Sequence, residues 1–223
     1  MNDLSQYLNK LPFCSHLSEN EKALILSNWS QRNYKKGQLI YSSSDECLGH
    51  ILMCTGTVRV YINSEEGREI TLFRLAPDDT CVLSASCVIS QISFETQLTA
   101  TSDASLLVLN AGVFKRLAEQ NIYVKCYMYE LLSNRFSSVM QTMQQIIFMG
   151  YDKRLAIFLL SELERTGKHE IKMTHEQIAE YTNSAREVVA RMLKRFASDG
   201  LLEYKRGAIT VTNDAALRSL AGI

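Results

Sequence analysis

Apolar positions follow three regimes along the chain. Before residue 110 they come in short runs: Leu39-Ile40-Tyr41, Ile51-Leu52-Met53, the alternating Val58, Val60 and Ile62, then Ile70, Leu72 and Phe73, with further runs at 97–100 and 105–109. A polar break at 42–46, Gly56, Glu65-Glu66-Gly67-Arg68 and Pro77-Asp78-Asp79 separate them. Short strands punctuated at this spacing predict a small antiparallel barrel or roll. A helical lead-in over 20–29 precedes it. The second regime, 113–148, has neither proline nor glycine, and Leu117, Val124, Met128, Leu131, Leu132, Val139, Met143 and Ile146 recur at helical steps. One helix of that length spans roughly 50 Å. A compact roll cannot cover it, so part of its apolar face asks for a twin in a parallel two-fold dimer, with an ordinary core helix as the alternative. Phe148-Met149-Gly150-Tyr151 reads as a hinge, after which Asp152 opens a helix with Leu155, Ile157, Phe158, Leu159 and Leu163 inward.

The third regime, 174–211, holds the densest set of signals. Thr174 stands three residues before Gln177, the spacing of a capping box, and Ile178 and Ala179 follow on an inward face. Thr182 and Asn183 interrupt, and asparagine tolerates the left-handed backbone of a tight corner. Ser184 and Glu187 repeat the capping spacing, and Val189, Met192, Leu193 and Phe196 make one buried stripe. Opposite it lie Arg186, Glu187, Ala190, Arg191 and Lys194. These offer guanidinium forks for guanine O6 and N7, an acceptor for a cytosine amine, and a charge for phosphate. Asp199-Gly200, Leu201-Leu202, Tyr204, Lys205-Arg206-Gly207 and Ile209 to Val211 then predict a two-stranded wing with a basic tip. Any one basic residue on a helix is usually just solvated. Two capped helices, a short corner, an arginine-rich outer face and a basic wing within about 40 residues point together to a DNA-binding unit.

The run SAREVVARMLKRFASDGLLEYKRGAITV resembles the recognition helix and wing of the CRP/FNR regulators, and the Lys36-Gly37 start and Gly56-x-Val turn resemble the effector-binding roll of that family. The resemblance implies an α+β chain: an antiparallel β-roll of jelly-roll, cyclic-nucleotide-binding-like form (1–112), a long dimerisation helix with its hinge (113–149), and a C-terminal winged helix-turn-helix domain (150–223). It implies that Arg186, Glu187 and Arg191 meet base edges on a palindrome with TGTGA-like half-sites. Lys194, Ser184, Thr174, Lys205 and Arg206 then contact the DNA beside them. One departure is Asn183-Ser184-Ala185, where many members have a glycine and two small hydroxyl residues. Two recognition helices in a dimer would face successive major grooves about 34 Å apart.

Charge modifies this picture. The chain is neutral, and from Gly150 onward 12 Lys or Arg stand against 10 Asp or Glu, leaving 12 against 14 before it. Binding therefore depends on where the cations sit rather than on a bulk field. The first ten residues do not resemble a secretion signal and no apolar run approaches membrane-spanning length, so a cytoplasmic protein with no membrane partner and reduced thiols is expected.

What the roll senses is read from PDDTCVLSASCVISQISFETQLTA. Cyclic-AMP-binding members have a Gly-Glu pair and a phosphate-holding arginine here, where this chain has Val82 and Leu83 and no arginine between Arg74 and Arg116. A buried anion without a cationic partner costs several kcal/mol, which disfavours cyclic AMP. Iron-sulfur members place several cysteines near the start, whereas only Cys14 stands there, which disfavours a cluster. Cys81 and Cys87 flank Ser84 and Ser86; a small-hydrophobe role, a thiol switch, and haem ligation at Cys81, by likeness to a carbon-monoxide-sensing member, stay open. The four histidines, His16, His50, His169 and His175, form no metal-binding pair. The effector set suggested is Cys81, Val82, Leu83, Ser84, Ser86 and Cys87 with Arg135, Val139 and Met140 on the long helix, for an unidentified small molecule. The alternatives are a haem or thiol sensor and a roll that is only a structural dimer module. No catalytic motif appears, so no enzyme is expected, and RNA polymerase is an expected partner of an activator.

Overall fold

The computed structural model describes residues 4–42, 48–82 and 96–223. Of the expected effector residues, Leu83, Ser84, Ser86 and Cys87 lie outside them. The N-terminal part runs α1 (Ser5–Leu8), a 3₁₀ turn (Cys14–His16), α2 (Glu19–Asn28), and strands β1 (Trp29–Tyr34), β2 (Leu39–Tyr41), β3 (His50–Thr55), β4 (Val58–Asn63), β5 (Glu69–Leu75), β6 (Thr80–Cys81), β7 (Gln97–Ala100) and β8 (Ala104–Leu109). The chain continues through α3 (Ala111–Gln120), α4 (Ile122–Phe148), α5 (Tyr151–Thr166), β9 (Glu170–Ile171), α6 (His175–Tyr181), α7 (Arg186–Ser198), β10 (Leu202–Lys205), β11 (Ala208–Val211) and α8 (Asp214–Ala221). Two compact units result, one made of Met1–Arg68 and Leu72–Met140 and the other of Glu69–Thr71 and Gln141–Ile223.

Among the described residues two four-stranded sheets, ordered β1-β8-β3-β6 and β2-β7-β4-β5, form an antiparallel roll. The apolar run Leu106 to Leu109 is buried throughout because β8 is covered on both faces. Leu106 and Val108 join the core between the sheets with Ile51, Met53, Val58, Val60 and Leu98. Leu107 and Leu109 instead meet Ile25, Phe114 and Leu117 of the helices. Alternate side chains of a strand point to opposite faces, so two covered faces erase the polar half of the pattern. The turn at Gly56 needs its glycine: φ is +79° and an added Cβ would lie 2.3 Å from the Asp103 carbonyl oxygen. Asp78, at φ 72°, makes the tight turn between β5 and β6, where the Asp79 carboxylate accepts from the Ala76 amide at 2.8 Å.

The long helix expected from 113 is two helices. Asn121 is extended (φ −123°, ψ 114°), its Oδ1 accepts from the Tyr123 amide at 3.0 Å, and its Nδ2 donates to the His16 carbonyl and to Glu21 Oε1. Asparagine thus closes α3 and opens α4 without a glycine or proline. The lead-in helix ends at Asn28, and Trp29 already belongs to β1.

With 27 residues, α4 is about 40 Å long and amphipathic twice over. Val124, Tyr127, Met128 and Leu131, at steps of three, one and three, are buried against the roll. On the other side Ile122, Tyr129, Phe136, Met140, Met143 and Ile147, at steps of seven, seven, four, three and four, are exposed, Phe136 by 67% and Ile147 by 62%. No helix among the described residues is long and apolar enough to cross a membrane.

Buried polar groups tie α4 to the roll. The Tyr127 hydroxyl donates to Thr80 Oγ1 at 2.8 Å, so His50 Nε2, 3.1 Å from the same oxygen, is the donor to it. His50 is therefore the Nε2–H tautomer. Its Nδ1 is buried with no hydrogen-bond partner among the described residues. Burial lowers the imidazole pKa from 6.5 to about 4. The unfolded chain takes up this proton as pH falls through 6.5 and the folded one only near 4, so stability is lost across that window, by up to about 3 kcal/mol. His50→Gln is expected to flatten the fall in unfolding free energy between these two pH values, as measured by chemical denaturation; parallel profiles for both proteins would contradict it.

Candidate nucleic-acid interface

The second unit has its own core. Leu155, Leu159 and Leu160 of α5 meet Ile178 and Ala179 of α6, Val189, Leu193 and Phe196 of α7, Ile209 and Val211 of β11, and Leu217 of α8. Met192 is partly buried beside them. The buried Glu162 carboxylate is held by Arg165 at 2.6 Å within α5. The Tyr151 hydroxyl, 3.0 Å from Thr182 Oγ1, joins the start of α5 to the end of α6.

Both ends of α6 are specified locally. Thr174 Oγ1 accepts from the Gln177 amide at 3.2 Å while Gln177 Oε1 accepts from the Thr174 amide at 3.0 Å, completing the capping box. At the other end Asn183 is left-handed at φ 53° and the Ser184 amide donates to the Ala179 carbonyl at 2.9 Å. This is a Schellman closure. It corrects the expected second cap. α7 begins one residue later, with Ala185 at its N-cap and no side-chain cap bond. Glu187 lies in the first turn of α7, where the helix dipole favours an acid.

With Val189, Leu193 and Phe196 buried, the opposite side of α7 is fixed: Arg186, Glu187, Arg191 and Lys194 are exposed, and Ala190 lies half-buried among them. Arg195 forms an ion pair with Asp199 at 3.6 Å, which leaves it off the outer cluster. Lys205 and Arg206 are exposed at the tip of the β10–β11 hairpin, which turns at Gly207 with φ +78°. The wing is three-stranded rather than two-stranded, because β9 pairs with β11 through Ile171 and Glu170. Helix α8, capped by Asn213, has no counterpart in the sequence reading. Two contacts made by the first turn of α6 were also missed: Glu176 Oε2 lies 4.0 Å from Arg186 Nε, and the His175 ring lies 6.2 Å from that of Tyr204. Neither leaves a local sequence signal, since each joins separate elements.

The expected effector residues are placed in the first unit. Cys81 and Val82 are fully buried, Cys81 in the core between the sheets and Val82 in the core facing the helices. Arg135 Nη2 donates to the Thr80 carbonyl at 2.7 Å and the guanidinium lies 4.6 Å over the Phe73 ring, so this side chain grips the roll wall beside β6. Val139 is half-buried and Met140 exposed.

Residues 153–220 match the family model for the Crp-like helix-turn-helix domain and residues 31–121 that for the cyclic nucleotide-binding domain. A solved structure described as a transcriptional regulator of the crp/fnr family from Eubacterium rectale is 40% identical, with a TM-score of 0.89, covering 96% of this chain and 100% of that one. The cyclic AMP receptor protein of Thermus thermophilus is 24% identical across 94% of this chain and 96% of its own. The anaerobic regulatory protein of Aggregatibacter actinomycetemcomitans is 27% identical, covering 84% and 75%.

The capping box predicts that Thr174→Ala lowers the stability of the full chain by about 1 kcal/mol while Thr174→Ser does not. Denaturant midpoints measure this; equal midpoints for Thr174→Ala and the unmodified protein would contradict it.

Proposed function

Because the chain belongs to the CRP/FNR family of transcription regulators, whose members bind DNA, we propose that it is a homodimer reading a palindrome with TGTGA-like half-sites through Arg186, Glu187 and Arg191. The observation behind this reading is the outer face of α7. Two arginines and a carboxylate stand exposed on a helix whose other side is locked into a core, so the face that carries them is set before DNA arrives. Lys194 at the far end of that face and Lys205 and Arg206 at the wing tip supply sequence-independent charge for phosphates, and Ser184 and Thr174 lie at the corners of the same motif. The outer apolar face of α4 supports the dimer, since a second copy lined up along it would cover that stripe.

The roll is proposed to take a small effector other than cyclic AMP. The stretch after Arg74 has no arginine until Arg116, and the positions expected to face a ligand from α4, Val139 and Met140, are apolar. Burial of Cys81 among aliphatic side chains favours a packing role for that thiol over haem ligation or a switch. An effector near β6 would act on α4 through Arg135 and Tyr127, which both bond to Thr80. RNA polymerase is the proposed further partner if the protein activates.

Binding to a duplex with inverted TGTGA half-sites and to a random duplex tests the reading. Arg186→Ala is expected to cost about 1 to 3 kcal/mol on the inverted repeat and little on the random duplex, whereas Lys205→Ala weakens both alike. Equal losses on the two duplexes for Arg186→Ala would overturn the assignment.

A further inference from the structure

The first turn of α6 has two contacts that the helix-turn-helix arrangement does not require. Glu176 Oε2 reaches Arg186 Nε at the start of α7, and His175 lies against Tyr204 in the wing. The turn therefore sits where the recognition helix and the wing come together, on the surface proposed to meet DNA.

An acid is out of place on a phosphate-facing surface, where it repels the backbone of every sequence alike. The helix dipole favours an acid in a first turn, but that reason is indifferent to which residue the carboxylate faces. Here it faces one particular atom. At 4.0 Å the pair is an attraction between charges rather than a hydrogen bond; the carboxylate lies nearest Nε and leaves the Nη1/Nη2 edge free of that contact. A guanidinium has donors on more than one edge of a rigid plane, so one edge can be held by a carboxylate while another forms two parallel hydrogen bonds to guanine O6 and N7. Both side chains are about two-thirds exposed, 66% for Arg186 and 65% for Glu176, so such an ion pair adds little to folding. Its effect is directional.

We infer that Glu176 is a positioning residue for Arg186, raising the preference for the correct base at that position by fixing the plane of the fork. The inference rests on Arg186 being a base reader. A surface with few surplus cations benefits from this: Arg186, Arg191 and Lys194 stand beside Glu176 and Glu187, so indiscriminate binding is weak and most affinity must come from matched bases.

The test uses the full-length protein and the duplex it enriches from a randomised pool, compared with a scrambled duplex of the same length. Glu176→Ala is expected to lower the ratio of the two affinities roughly fivefold without lowering affinity for the scrambled duplex. Glu176→Gln, which keeps the length of the side chain but not its charge, is expected to lower the ratio nearly as much, since at 4.0 Å the pair is held by charge. In an Arg186→Ala background, Glu176→Ala should leave the ratio unchanged. A mere loss of helix stability would not produce this coupling. The inference is overturned if Glu176→Ala shifts both duplexes by the same factor, or if its effect persists without Arg186. If the unmodified protein enriches no duplex, the DNA-reading proposal fails and this one with it.

Discussion

Helix α4 has apolar side chains on two opposite sides, and a helix can lay only one of them on the roll beside it. Val124, Tyr127, Met128 and Leu131 are satisfied within the chain, whereas Tyr129, Phe136, Met143 and Ile147 face outward. Apolar surface removed from water contributes about 25 cal/mol per Å², and a contiguous exposed stripe of large side chains is uncommon on a monomer. Everything proposed about output depends on that stripe. A second copy along it would turn one recognition helix into a symmetric pair, which is what a palindrome requires.

The same helix holds the roll through polar contacts made inside the core. Thr80 receives the Tyr127 hydroxyl at its side chain and the Arg135 guanidinium at its carbonyl, and His50 completes the chain from β3. Buried bonds of this kind are costly to break because the separated groups cannot all find water. They tie β6 to α4, which suits a strand leading into the segment expected to meet an effector. In the C-terminal domain the logic is reversed: the core beneath α7 is apolar, and the charge stands outside it on the exposed face.

Local signals survived the step from sequence to structure best. The Thr174 capping box, the left-handed Asn183 and the buried stripe of α7 each depend on neighbours within a turn or two, so the winged helix-turn-helix and the exposed face of α7 were legible. Features set by distant partners were not. Asn121 is only a weak local sign of a break, because the rest of its side chain is held by His16 and Glu21, about a hundred residues earlier. β9 is a two-residue strand defined only by its pairing with β11. The tautomer of His50 follows from Tyr127, 77 positions away. The reading of Ser184 as a cap failed more narrowly: α7 starts one residue on, with Ala185 at its N-cap, which has no side chain that can accept a bond.

The outer face of α4 is tested most directly by sedimentation equilibrium of the full chain across the micromolar range. A chain of 25.3 kDa whose exposed stripe is covered by a twin should sediment at twice that mass, with dissociation only on strong dilution. A single species of 25.3 kDa at every concentration would contradict the account.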